Sequence, residues 1–145
     1  MKKSVCIALV FLFFITPAIN SAGPQDVISW TEQTLSNTLA LDYNNIDQQL
    51  EAVKSHYTVN AWEALGTFFN QGVSTIRSQK LVLHPEALAP AQIEAEGDYS
   101  GIHYWRINQD YYIPEVNMTV RFSAIVIRAT NPPYIIQSLD MTKKM

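Results

Sequence analysis

The sequence predicts an α+β domain, with helices from the N-terminal part packed on a curved antiparallel sheet, and three observations predict it. Apolar residues recur at helical spacing through the first half of the chain, from Asp26 onward, and at a period of two through the second half. The two kinds of segment do not interleave, which excludes alternating α/β. The third observation is the stretch from Gly101 to Arg128, which reads as two long strands, Ile102 to Ile113 and Met118 to Arg128. They are joined by Pro114-Glu115-Val116-Asn117, residues that a hairpin loop tolerates and a central strand does not. A sheet built on that hairpin wraps the helices as a half-open cone.

The chain has 145 residues, enough for one domain with its own core. Residues 1–22 read as a secretory signal peptide rather than as part of that domain. Met1-Lys2-Lys3 is the positive end, Val5 to Ile15 is almost unbroken apolar sequence, and Thr16 to Ala22 carries small and helix-breaking residues, with cleavage expected after Ala22. The alternative is an uncleaved anchor, although the apolar run falls short of the ~20 residues that a spanning helix needs. Residues 23–145 then form a single exported, periplasmic domain. The one cysteine, Cys6, lies in the apolar run, so that domain has neither disulfides nor thiolate chemistry. Removing Lys2 and Lys3 takes the formal charge from −3 to −5, and no basic stripe of the kind nucleic acid requires is present.

Asp26 to about Asp42 predicts one amphipathic helix with Ile28, Leu35 and Leu39 on its stripe and Trp30 beside them. Asp42 to Asn45 interrupts it. Asn45 and Gln48 have the spacing of a capping box before a short second helix carrying Ile46, Leu50, Val53 and Tyr57. Asn60 and Glu63 repeat that spacing before a third, whose stripe is Trp62, Leu65, Phe69, Val73 and Ile76. Gly66 and Gly72 weaken it, so an end near Asn70 is expected.

From Gln79 the period becomes two. Leu81 and Leu83 alternate with Lys80 and Val82 before Pro85, and Ala91, Ile93 and Ala95 then oppose Gln92, Glu94, Glu96 and Asp98, whose acids face water. In the hairpin His103, Trp105, Ile107, Tyr111 and Ile113 share the core face with Met118, Val120, Phe122, Ala124 and Val126. Ile125 and Ile127 make the far end of the second hairpin strand apolar on both faces. A last strand, Tyr134 to Met141, follows Asn131-Pro132-Pro133.

Several short motifs occur in order along this framework: Leu41-Asp42-Tyr43-Asn44, His56-Tyr57-Thr58 followed by Trp62, Arg77-Ser78-Gln79-Lys80-Leu81, Gly101 with Tyr104-Trp105-Arg106-Ile107, and Ile125-Val126-Ile127-Arg128. Through them the chain resembles, from about Trp30 to Leu139, the periplasmic domain of the DotI/IcmL family, inner-membrane components of the Dot/Icm type IVB secretion system, with the related TraM proteins of conjugative plasmids. The resemblance implies a fold similar to the nuclear-transport-factor and ketosteroid-isomerase superfamily. It also implies a non-enzymatic part in building a secretion channel, with secretion-system subunits or a second copy as partners and no cofactor. Embedded members of that family carry a cytoplasmic segment and a spanning helix, whereas this chain opens on a removable leader, which suggests a free periplasmic paralogue or accessory.

Cone folds of this type also host dehydratases and isomerases, and others bind ligands without chemistry. The polar residues able to line such a cone are Asp42, Tyr57, His103 and Tyr111. An Asp in an apolar cavity acts as a general base, with a Tyr hydroxyl polarising a carbonyl. The bland reading makes Asp42 a helix-end acceptor, His103 a satisfied rim residue, and the two tyrosines amphipathic core edges. An open pocket of ~300 Å³ or more with Asp42 and a Tyr converging favours the enzyme, and an interior filled by Trp62, Phe69, Trp105 and Phe122 opposes it. His56, His84 and His103 lack metal-ligand spacing, so no metal is expected. The residues expected at an interface are Ile125 and Ile127, with the aromatics Tyr104 and Tyr112, covered either by the first helix or by a partner.

Overall fold

The computed structural model describes residues 23–144, so the leader read over residues 1–22 and Met145 lie outside the described residues. Four helices come first: α1 (Pro24–Leu39), α2 (Ile46–Lys54), α3 (Val59–Phe69) and α4 (Gly72–Ser78). The strands follow as β1 (Glu86–Ala87), β2 (Gln92–Tyr99), β3 (Ile102–Ile113), β4 (Met118–Arg128) and β5 (Tyr134–Lys144).

Pro24 opens α1 with its ring already in a helical φ, and Asp26 folds back so that its Oδ2 accepts from the Gly23 amide at 2.8 Å. The buried stripe of α1 is Val27, Thr31, Thr34, Leu35, Thr38 and Leu39, so Val27 takes the place expected of Ile28 and three threonines join the core. Thr31 and Thr38 satisfy their hydroxyls within the helix, donating to the carbonyls of Val27 at 2.7 Å and Thr34 at 2.8 Å.

Both expected capping boxes differ in the structure. Asn45 precedes α2 without a side-chain cap bond; Gln49 holds the turn instead, donating to the Ala40 carbonyl at 3.1 Å and accepting from the Asp42 amide at 2.8 Å. The cap of α3 is Thr58, whose Oγ1 accepts from the Ala61 amide at 3.3 Å and donates to the Gln137 carbonyl at 2.8 Å. α3 ends at Phe69, and Val73 and Ile76 belong to α4.

β3 is the centre of the sheet: it pairs on one side with β4, which pairs with β5, and on the other side with both β1 and β2. All these pairings are antiparallel. Tyr104 lies opposite Ile127 and Ile113 opposite Met118, so the hairpin has the boundaries and register that the alternation predicts. Ser100 and Gly101, both with positive φ (52° and 77°), make the two-residue turn between β2 and β3, the geometry that matches the twist of paired strands. Leu81 to Leu83 is not a strand. It runs beside the α1–α2 turn, where Val82 bridges Asp42, before Pro85 removes a donor. A bulge between Ile93 and Ala95 breaks the alternation in β2, so Ala95 lies opposite Arg106 and Glu96 opposite Trp105. Ala95 therefore shares a face with Arg106, while Glu96 and Asp98 move to the face of Trp105 and His103.

The helices cover one face of the sheet, the inner face. Ile107, Ile113, Val120, Phe122, Ala124, Val126 and Ile136 have no exposed surface there. Phe69, Trp105 and Phe122 fill the space between the layers, with Trp62 half-buried at its margin. Glu32 ties α1 to the sheet, its carbonyl accepting from Tyr111 Oη at 2.8 Å and its Oε1 from the Ala91 amide at 2.6 Å. The edge of β5 is partly covered by the α2–α3 turn, since the Thr58 amide donates to Ile136 at 3.0 Å and the Ile136 amide to His56 at 2.8 Å.

Candidate functional site

The outer face of the sheet is divided. Towards the Ser100–Gly101 turn the residues that point outward are Ile102, Tyr104, Ile125 and Ile127; towards the other end they are Asp110, Tyr112, Thr119 and Arg121. The apolar half forms an open groove of about 300 Å³, lined by Tyr99, Ile102, Tyr104, Arg106, Ile125, Ile127 and Gln137. All of these belong to strands, and among the described residues no helix contributes to the lining. Tyr99 is 77% exposed and Ile102 50% exposed, a high value for residues of this size. Gly97 shapes the groove, because a Cβ there would meet the Tyr104 ring at 3.4 Å, and without it the ring lies against β2.

Two arginines punctuate this face. Arg121 forks onto Asp110, with Nε to Oδ1 at 2.9 Å and Nη2 to Oδ2 at 2.8 Å, and this guanidinium holds the Asp110 carboxyl below the usual carboxylate range. Arg106, half-buried in the groove, donates from Nη1 to Ser123 Oγ at 3.3 Å.

Of the residues expected at an interface, Tyr104, Ile125 and Ile127 therefore meet in one groove. Tyr112 lies at the far end, its hydroxyl donating to Asn117 Oδ1 at 3.0 Å. The expected cover by the first helix is absent from this face, because α1 packs on the inner side through Tyr111. Tyr99, Ile102 and Arg106 are additional, brought in by cross-strand register, and so is Gln137, the extra residue of β5 where its register shifts against Ile125 and Val126. The alternation of β2 beyond its bulge is the signal that would have found Tyr99.

The four polar residues expected in the cone do not converge. Asp42 sits in the α1–α2 turn, where its Oδ1 accepts from the amide and the side chain of Asn44, both at 2.9 Å. Tyr57 and Tyr111 are buried with their hydroxyls engaged by α1, at Thr38 and Glu32, and burial raises both phenols above the ordinary tyrosine range. His103 lies at the rim, 3.3 Å from Asp98 Oδ1 and edge-on to Trp105. Trp105 continues into a file of rings through Tyr134 and Trp30 to His56, with Arg128 over Trp105 at 5.5 Å. The His56 Nδ1 is buried without a partner, and desolvation lowers the pKa of that imidazole. Among the described residues no three or more His, Cys, Asp or Glu side chains gather as metal ligands. None of the described helices is long and apolar enough to cross a membrane.

A comparison with curated proteins finds no match. Among solved structures the fold is similar to the periplasmic domain of DotI, at 15% identity over 83% of this chain and 95% of that one, with a TM-score of 0.72. It is also similar to a periplasmic fragment of TraM, at 13% identity over 85% and 99% of the two chains, with a TM-score of 0.73. An IcmL-like type IV secretion system protein from Legionella pneumophila matches at 15% identity over 85% and 94%, with a TM-score of 0.63. At these identities the structures establish the fold. The family follows from the sequence, because residues 16–128 match the model of the DotI/IcmL type IVB secretion system inner-membrane complex component. The chain belongs to that family of secretion-system components.

Proposed function

We propose that this protein is a non-enzymatic, periplasmic component or accessory of a type IVB secretion apparatus, which works by docking other subunits, or a second copy, on the outer face of its sheet. In this reading residues 1–22 are the export signal, cut after Ala22, and residues 23–145 are the mature domain. The observation that carries the proposal is the groove around Tyr104, Ile125 and Ile127: an apolar surface on strands, placed where no helix of the described chain covers it. A role without chemistry is supported by the inner space, which Phe69, Trp105 and Phe122 fill while Asp42, Tyr57 and Tyr111 are held apart. Family membership supplies the kind of partner.

The experiment is a crosslinking pull-down of the tagged full-length chain from its own cells, with membrane and periplasmic fractions separated. Recovery of secretion-system subunits, lost in Ile127→Asp, is the expected result. A partnerless protein in both fractions overturns the proposal.

A further inference from the structure

The outer face carries two arginines in different electrostatic circumstances. Arg121 is neutralised within the chain by the forked contact with Asp110. Arg106 has no such ion pair: its register neighbours are Ala95 on β2 and Ile125 on β4, its bond is to the neutral hydroxyl of Ser123, and the nearest carboxylate on β5, Asp140 opposite Ser123, is not paired with it. Glu94, close by on β2, is held by Asn108, whose Nδ2 donates to its Oε2 at 3.2 Å. Among the described residues no carboxylate forms an ion pair with Arg106. The half-buried Arg106 side chain is flanked by isoleucine and tyrosine side chains, and its bond to a neutral acceptor at 3.3 Å leaves most of the guanidinium N–H donors for another partner. The planar fork is suited to a carboxylate arriving from outside, with donors free to bind both oxygens.

We infer that the groove takes an apolar peptide segment of a partner subunit that carries an Asp or Glu, with the apolar side chain between Tyr104 and Ile127 and the carboxylate on Arg106. The inference rests on the docking role proposed above and adds the chemistry of the occupant. Charge decides between occupants that are otherwise equally apolar: the groove supplies the cation, so the partner supplies the anion. The strands and Tyr104, settled against Gly97, leave an open trough rather than an enclosed cavity, which suits a side chain presented by a folded partner.

The test places a photo-crosslinking amino acid at Tyr99, an exposed residue at the margin of the groove, in the full chain in its own cells and maps the adduct by mass spectrometry. The mapped segment should carry an acidic residue beside an apolar one. Arg106→Glu should reduce the adduct at least tenfold while thermal unfolding is unchanged, and replacing that acid with Lys in the partner should restore the adduct to the Arg106→Glu protein. Arg106→Gln, which removes charge without reversing it, gives an intermediate yield. An adduct that is indifferent to the charge at position 106, or that maps to a segment lacking a carboxylate, overturns the inference and leaves the docking role standing. An adduct to lipid alone overturns the inference in favour of an anionic lipid. No adduct with Arg106 intact removes the docking role itself.

Discussion

The hydroxyls of Thr38 and Tyr57 lie 2.6 Å apart inside the seam between α1 and the α2–α3 turn, and the proton between them belongs to Tyr57. Thr38 has one proton, and it is committed to the Thr34 carbonyl at 2.8 Å, so Thr38 accepts and Tyr57 donates.

That assignment makes the two obvious substitutions unequal. Tyr57→Phe removes one hydrogen bond and leaves Thr38 bonded to its helix, a loss of about 1 kcal/mol. Thr38→Val strands the Tyr57 hydroxyl in the core, a loss of about 1–3 kcal/mol. Urea midpoints should therefore fall further for Thr38→Val. The reverse order contradicts the assignment of the proton.

The same burial gives the fold an alkaline limit. Burial raises the Tyr57 and Tyr111 phenols above their ordinary value near 10. Because the folded pKa is raised, the stabilisation is fully present below about pH 10 and is lost as pH climbs above it, by about 1.4 kcal/mol per unit and per tyrosine. Denaturation at pH 8 and pH 11 should show this loss in the natural chain and a shallower one in Tyr57→Phe. Equal slopes in the two proteins would mean that Tyr57 is not responsible.

Gly97 allows a test of groove shape that leaves the charges untouched. An added Cβ just reaches the Tyr104 ring at 3.4 Å, so Gly97→Ala should leave both stability and adduct yield near those of the natural chain. Gly97→Val adds branches that displace the ring, while the residue itself suits a strand. Its unfolding temperature should hold, and its capture of partner subunits should drop several-fold. Undiminished capture would show that the position of Tyr104 is immaterial.

Ile127 and Phe122 belong to one strand and point to opposite faces. Phe122 has no exposed surface, and Phe122→Ala should cost about 3–5 kcal/mol. Ile127 is half-buried and lines the groove, and Ile127→Asp should cost about 1–2 kcal/mol, well short of Phe122→Ala, while abolishing partner recovery. Unfolding of the Ile127→Asp protein would place that side chain in the core and remove the docking argument.

How much of this was legible depended on how local the cause was. The β3–β4 hairpin was readable to the residue, because alternation over a 12-residue strand survives any tertiary context. The outward turn of Ile125 and Ile127 followed from the same period. The caps were misread because Asn45 and Asn60 have the right spacing, while Gln49 and Thr58 are selected by partners at Ala40 and Gln137 that the sequence does not bring near. In the stripe of α1, Leu35 and Leu39 are buried as expected, while Val27 stands in for Ile28 and the threonines were left out because they count as polar until their hydroxyls are seen bonded to their own helix. In β2 a single bulge moved Glu96 and Asp98 to the other face, where His103 meets Asp98. Arg106 escaped the reading of the site because its significance lies in the lack of an ion pair with residues of the neighbouring strands, which depends on register and on the bond between Asn108 and Glu94.

The threonines of α1 also bear on what holds that helix in place. A helix whose buried face includes Thr31, Thr34 and Thr38 is made partly of weak helix formers, and at 16 residues it is marginal in isolation. Its stability comes from the sheet, through Tyr111, Ala91 and Tyr57, residues that follow it in the chain. The residues that hold α1 in place all lie later in the chain, so α1 depends for its stability on segments up to 79 residues beyond it.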